Sequence, residues 1–120
     1  MSRRRGKYGA MRTTVHGWTF DSKREAARYQ ALLLLGDAGE IRNLELQPAF
    51  PLHACDLNDL HFTPIATYRA DFRYEERGGL HLDCAYWHDV VEDVKGMRTP
   101  MYRLKKKWLE AEYGIAVRET

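Results

Sequence analysis

Four residues of the chain have the types and spacing for metal-assisted hydrolysis of a phosphodiester: Glu25, Asp71, Asp93 and Lys95. Asp93 and Lys95 stand two positions apart in Val90-Val91-Glu92-Asp93-Val94-Lys95, so strand alternation puts both on one side of a largely apolar strand. Asp71 points away from the apolar face of the preceding strand, and the right register brings its carboxylate beside that of Asp93. Two such carboxylates are a hard oxygen pair suited to Mg²⁺ or Mn²⁺. A metal held there stabilises charge on the phosphate and acidifies water, while the Lys95 ammonium positions or deprotonates the nucleophile. Glu25, from an earlier helix, could complete a second metal position or hold metal-associated water. Glu92 falls on the opposite face from Asp93 and is expected to be structural, unless a bulge exchanges the two.

The elements that must position these groups are legible in the pattern. Ser22 to about Ala38 reads as a helix, with Ala26, Tyr29 and Leu33 at helical spacing, Gly39 to end it, and Ser22 and Glu25 as a capping box. That capping role competes with catalysis for the Glu25 carboxylate. Leu44 to Leu52 reads as a strand interrupted at Pro48, and Asp56 to Asp59 as a polar connection. Thr67 to Glu75 alternates, with Tyr68, Ala70, Phe72 and Tyr74 on one face and Arg69, Asp71 and Arg73 on the other. With Gly78-Gly79 as the turn, it pairs in an antiparallel hairpin with the strand ending at Lys95, and the insert from Leu80 to Trp87 is left unassigned. Thr99-Pro100 starts a second helix that presents Met101, Leu104, Trp108 and Ala111 on one apolar face until Gly114. Ile115 to Val117 supplies a last strand. The order is helix, three strands, helix, strand: an α/β pattern with mixed pairing.

Those residues carry a resemblance. Asp71, then Asp93-Val94-Lys95-Gly96 on the next strand, after Glu25 in an opening helix, resembles the PD-(D/E)XK nuclease superfamily. Lys7-Tyr8-Gly9, Phe20-Asp21-Ser22-Lys23 with Glu25, Leu46-Gln47-Pro48, Ala70-Asp71-Phe72 and Glu92 to Gly96 resemble, in this order, a phage-encoded family of uncharacterised proteins and endonucleases. The layout is also similar to phage junction-resolving endonucleases and transposase end-cleaving subunits. The resemblance implies a restriction-endonuclease-like core, a mixed central sheet flanked by helices. It implies Asp71, Asp93 and Glu25 as metal ligands and Lys95 as the residue assisting water, with Gln47 at an accessory position. It further implies a Mg²⁺- or Mn²⁺-dependent endodeoxyribonuclease that leaves a 5′-phosphate. Ala70, where the superfamily's motif has proline, departs from the pattern without removing a ligand.

Charge is segregated around this constellation. Residues 1–14 carry five positive charges and no acid, residues 15–94 seven bases against fourteen acids, and residues 95–109 six bases and no acid, within a net charge of +2. The first segment, residues 1–14, reads as a flexible basic arm, and residues 15–120 as a single nuclease domain. Arg3, Arg4, Arg5, Lys7 and Arg12 in the arm, with Arg98, Arg103, Lys105 and Lys106, are the candidate contacts to DNA phosphates. A resolvase of branched DNA, acting in recombination or before genome packaging, would make two symmetric nicks as a homodimer. The rival expectations are a non-catalytic DNA-binding module of the same fold and a nuclease subunit that needs a partner. The longest apolar run, Ala31 to Leu35, is far short of the ~20 residues that span a bilayer, so no membrane is expected. The arm lacks the apolar stretch of a signal peptide, so the expected location is the cytoplasm, that of the host cell if phage-encoded. Cys55 and Cys84 are expected to be reduced, buried thiols. With His53, His81 and His88 they match no closed four-ligand zinc pattern.

Overall fold

A computed structural model describes residues 12–78, 86–95 and 97–120. The chain runs β1 (Thr13–Val15), β2 (Trp18–Phe20), α1 (Lys23–Asp37), β3 (Ile41–Leu46), β4 (Ala49–Asp56), β5 (His61–Arg69), β6 (Phe72–Gly78), β7 (Tyr86–Asp93), α2 (Pro100–Tyr113) and β8 (Val117–Glu119). Both helices begin where a side-chain oxygen can take an orphan amide: Ser22 Oγ accepts from Glu25 N at 3.1 Å, and Thr99 Oγ1 accepts from Tyr102 N at 3.1 Å. Pro100, lacking an amide hydrogen, occupies the first turn of α2 at no hydrogen-bonding cost. Gly114 ends that helix in the left-handed region, φ 67°, which a Cβ would oppose.

The centre of the fold is one long antiparallel ribbon with a kink across both legs. β3 pairs with β6 as far as Leu46 opposite Phe72, and β4 pairs with β5 from Ala49 opposite Arg69. Between them Gln47 takes φ 51° and Pro48 has no amide to donate. The ribbon is stitched across the kink by Gln47 N to Asp71 O at 2.9 Å and Ala70 N to Pro48 O at 3.1 Å. On one side of the kink the ribbon joins β7 and β8 in a four-stranded sheet of order β3-β6-β7-β8. That sheet is mixed: β3, β6 and β7 are antiparallel, and β7 runs parallel to β8. Beyond the kink, β4 and β5 continue alone as a two-stranded arm.

The helices cover opposite sides. Ala26, Tyr29 and Leu32 of α1 pack with Phe20, Phe72, Tyr74 and Val90, whereas Leu109 of α2 packs with Phe50, Leu52, Tyr68, Ala70, Val91 and Val117. Successive residues Val90 and Val91 serve the two cores, as period-2 alternation in a central strand requires. The α/β class and mixed sheet thus stand. No helix among the described residues is long and apolar enough to cross a membrane.

Several expectations are corrected. The single strand at 44–52 and the single strand at 67–75 are each two strands, so five strands lie between the helices. Tyr68 and Ala70 do not share a face with Phe72 and Tyr74, because the kink intervenes and the two pairs enter different cores. An unforeseen hairpin, β1–β2, covers α1 and takes in Thr13 and Thr14, which had been placed in the arm. The last strand starts at Val117 rather than Ile115. Of the predicted stripe on α2, Trp108 packs against the core, but Met101 and Leu104 are more than half exposed and Ala111 is exposed, and Leu109 is the buried residue of the helix. Cys55 is exposed instead of buried, and Cys84, Gly79 and the stretch 80–85 lie outside the described residues.

Glu92 holds the two layers together from inside. Fully buried, it accepts two hydrogen bonds from Arg28 of α1, at 2.7 and 2.8 Å, and one from the Tyr74 hydroxyl at 2.6 Å. It is structural, as its opposite-face position implied. Truncating Arg28 to Ala leaves a buried carboxylate without its cation, and we expect a loss of about 3 kcal/mol in urea unfolding, far more than Arg42→Ala at the exposed Glu75 pair.

Candidate functional site

The site is assembled where the kink meets the end of β7. Asp71 is the last residue before β6, and its amide donates both to Glu92 O at 3.2 Å and to Asp93 Oδ1 at 3.0 Å. In return the Val94 amide donates to Asp71 Oδ2 at 2.7 Å. Each aspartate thereby caps the strand end of the other, and the two carboxylates are locked to one place without a direct bond between them. β8 extends the clamp: Thr120 N donates to Asp93 O at 2.9 Å and Lys95 N to Thr120 O at 3.3 Å.

The side chains behind this latch are the ones the sequence singled out. Lys95 Nζ stands 3.6 Å from Asp93 Oδ1, and its ammonium lies 4.7 Å from the centre of the Tyr102 ring. Glu25, buried in the first turn of α1, sets its carboxyl against Asp71. Burial, then the adjacent Asp71 charge, push Glu25 up to about 8, against a weaker downward pull from Lys95. The Ser22 half of the capping box forms at the Glu25 backbone, while the Glu25 side chain is spent on the site. Burial also raises Asp93 above the ordinary carboxylate range, opposed by Lys95 and by the Asp71 amide.

Two tyrosines outside the candidate set read from the sequence belong here. Tyr68, read as part of a core face, donates its hydroxyl to Asp93 Oδ2. Tyr102 donates to Glu119 Oε2 at 3.0 Å and covers Lys95. Nothing in the local pattern distinguishes a tyrosine whose hydroxyl meets a distant carboxylate from one that merely fills the core. Gln47 is exposed and contributes its backbone amide to Asp71 O rather than its side chain.

Among the described residues no three His, Cys, Asp or Glu side chains stand together tightly enough to form a ready metal cage. The chemistry of the donors nevertheless suits a hard divalent cation: Glu25, Asp71 and Asp93 offer only oxygens, and the crowded Glu25–Asp71 pair lacks the positive charge that would let both ionise. Of the residues weighed for zinc, His53 Nδ1 lies 2.7 Å from Glu112 Oε2 and Cys55 is exposed, while His81 and Cys84 lie outside the described residues.

The basic residues divide. Arg98 and Lys106 both contact Glu119, at 2.7 and 3.2 Å, and these partners, Arg98 first, hold Glu119 at about 2. With Tyr102, Arg103, Lys107 and Glu110 they line a concavity of about 290 Å³ beside the site. Lys105 donates to Thr67 O at 3.1 Å, and Arg12 lies 3.9 Å from Asp21. Arg3, Arg4, Arg5 and Lys7 lie outside the described residues.

A family model described as a protein of unknown function, DUF1064, matches residues 5–119, nearly the whole chain. The chain belongs to the DUF1064 family. That match spans all four site residues, the kink and both helices, so the latch lies inside the family's domain and not in an appendage to it. No curated protein and no solved structure matches the chain.

The Glu25 environment makes a signed prediction. Its native value lies above the unfolded value of about 4.5, so the native state binds more protons than the unfolded state between about pH 4.5 and 8, and stability falls as pH rises through that window. Asp93, also raised, acts in the same direction; Glu119, lowered to about 2, acts oppositely but below pH 4.5. In urea unfolding at pH 5 and pH 8 without divalent metal, Glu25→Gln should flatten this slope relative to wild type and be more stable at pH 8 by on the order of 2 kcal/mol.

Proposed function

We propose that this protein is a divalent-metal-dependent DNA endonuclease of the PD-(D/E)XK kind. One observation carries the reading: the reciprocal Asp71–Asp93 latch brings Glu25, Asp71, Asp93 and Lys95, four residues from three separate parts of the sequence, to one strand end beside a basic concavity. Ion pairs scattered by chance on a surface do not bury two carboxylates, Glu25 and Asp93, beside a half-buried third, Asp71, and one lysine at the cost of raising the buried two.

In this reading Glu25, Asp71 and Asp93 hold Mg²⁺ or Mn²⁺, which when bound supplies positive charge to the scissile phosphate. Lys95 orients the attacking water and stabilises developing charge, with Tyr102 restricting where its ammonium points. Tyr68 fixes one Asp93 oxygen, so the rotamer is set before substrate arrives. A bound cation would supply the positive charge that the buried Glu25 carboxyl lacks beside Asp71. Arg98 and Lys106, both tethered to Glu119, meet flanking phosphates. The finer reading, again our own, is a structure-specific enzyme resolving branched DNA in phage recombination or packaging, in the host-cell cytoplasm.

A second reading, a DNA-binding domain that does not cut, draws on the open arrangement of the three carboxylates and on how fully Asp93 is already satisfied. The two part on a cleavage panel of linear, nicked, flapped and four-way DNA with Mg²⁺ or Mn²⁺. The nuclease reading predicts cutting that falls at least ~10²-fold in Asp71→Asn, Asp93→Asn and Lys95→Ala, with folded circular dichroism retained. Intact DNA throughout, with salt-sensitive binding that is indifferent to Asp71→Asn, would favour the second.

A divalent cation binding this site should also raise the thermal midpoint of the wild-type protein at pH 8, since it binds the folded state alone. Asp71→Asn should abolish that rise. A midpoint insensitive to millimolar Mn²⁺ would count against a metal site at these residues.

A further inference from the structure

Beyond the kink, the β4–β5 arm leaves the body of the molecule. Its root is pinned: the His53 amide donates to Glu112 Oε1 at 2.6 Å, and Trp108 Nε1 donates to His53 O at 3.1 Å. From Ala54 to Ile65 every residue is exposed, and the exposed set includes Leu57 at 85%, Leu60, Phe62 and Ile65. Such a concentration of apolar surface on a projecting hairpin marks a contact.

The charge on the arm argues against nucleic acid. No Lys or Arg occurs anywhere between Arg42 and Arg69, and the turn carries Asp56 and Asp59. A phosphate backbone would be repelled there. The complementary surface is present on the same chain. Met97, Met101 and Leu104 along the start of α2 are each more than half exposed. They are flanked by Arg103 and Lys107, both exposed and making no side-chain hydrogen bond or ion pair among the described residues. In its own chain the arm meets α2 at its root, through His53 with Trp108 and Glu112 and through Thr67 with Lys105, while its turn lies roughly 10 Å of strand beyond His53.

We propose that two copies of this chain clasp each other about a two-fold axis, the β4–β5 arm of each lying along the outward face of α2 of the other. Apolar residues of the arm meet Met101 and Leu104, and Asp56 and Asp59 meet Arg103 and Lys107. A two-fold makes each contact twice, so one self-complementary pair of surfaces closes the assembly and leaves no free face. The seven exposed apolar residues offer on the order of 700 Å² per copy, close to the roughly 800 Å² per partner of a standard stable interface. This assembly does not rest on the nuclease reading and is measured without DNA or metal.

Sedimentation velocity on the full chain at increasing concentration tests it. The wild type should be a dimer. Leu60→Asp with Phe62→Asp should be monomeric with unchanged circular dichroism, the substituted residues being already in solvent. Asp56→Lys with Asp59→Lys should weaken the dimer at least tenfold, as should Arg103→Glu with Lys107→Glu, and the four changes combined in one chain should restore it. A wild type that stays monomeric to ~100 μM overturns the proposal. So does a dimer indifferent to both charge sets, or one that the combined reversal fails to restore. A monomer whose arm substitutions weaken DNA binding would assign the arm to nucleic acid instead, and equally overturns it.

Discussion

The structure depends on one constraint: a two-stranded ribbon must bend across both legs at the same level without leaving backbone groups unpaired. Gln47 and Pro48 on one leg and Ala70 and Asp71 on the other break the ladder together, and Gln47 N and Ala70 N are paired across the break. The bend frees the Asp71 amide from its ribbon partner and aims it at β7, where it finds Glu92 O and Asp93 Oδ1. The catalytic candidate at 71 is thus the side chain of the residue whose backbone makes the corner. Had the ribbon run straight, β6 and β5 would have been one strand and Asp71 one more outward residue along its edge.

The same corner explains why one ribbon can serve two cores. Below it, Phe72 and Tyr74 lie against α1; above it, Tyr68 and Ala70 lie against α2. A straight strand alternates faces every residue, so four residues at period 2 would all fall on one side. The corner resets that phase and lets short α1 and α2 each find an apolar patch on opposite sides of a sheet only four strands wide. Fold and site therefore have a common origin, and a change at Pro48 or Ala70 would be felt in both.

What the sequence disclosed follows from which forces are local. Helix ends were legible because Ser22, Thr99, Pro100 and Gly114 act through their own backbone neighbours. The pairing of Asp93 with Lys95, and the separation of Glu92 from both, followed from alternation within a single strand. The corner was not legible, because Tyr68 to Tyr74 alternates without interruption and the break is imposed by the partner leg at Gln47–Pro48. Met101 and Leu104 had the spacing of a core stripe, yet Leu109 alone of α2 is fully buried. Periodicity shows that a helix has an apolar face, and it does not show whether that face meets the chain's own core. Tyr68 and Tyr102 escaped notice because their roles lie in hydroxyl and ring contacts to residues 25 and 7 positions away.

Glu92 and Asp93, adjacent and both fully buried, show how a structural acid differs from one left available for work. Burying a carboxylate costs several kcal/mol unless opposite charge and hydrogen bonds return it. Glu92 recovers that cost completely: a bidentate guanidinium, with a tyrosine hydroxyl as a third donor, occupies its oxygens at ordinary distances. Asp93 is offered a hydroxyl, one amide and an ammonium at 3.6 Å, and burial still outweighs them, since the group is raised. Glu25 is in greater deficit, set against Asp71 with only Lys95 to offset the crowding. The electrostatic shortfall is thus concentrated at Glu25 and Asp93, which meet around Asp71 at the strand end, while the arginine is spent on Glu92. A sequence under pressure for stability alone would have placed a second arginine there, as it did for Glu92. Leaving Glu25 and Asp93 short of positive charge beside one lysine is the arrangement expected where the missing charge arrives with a cation, and this argues for chemistry at the strand end by Asp93 and for architecture at Glu92.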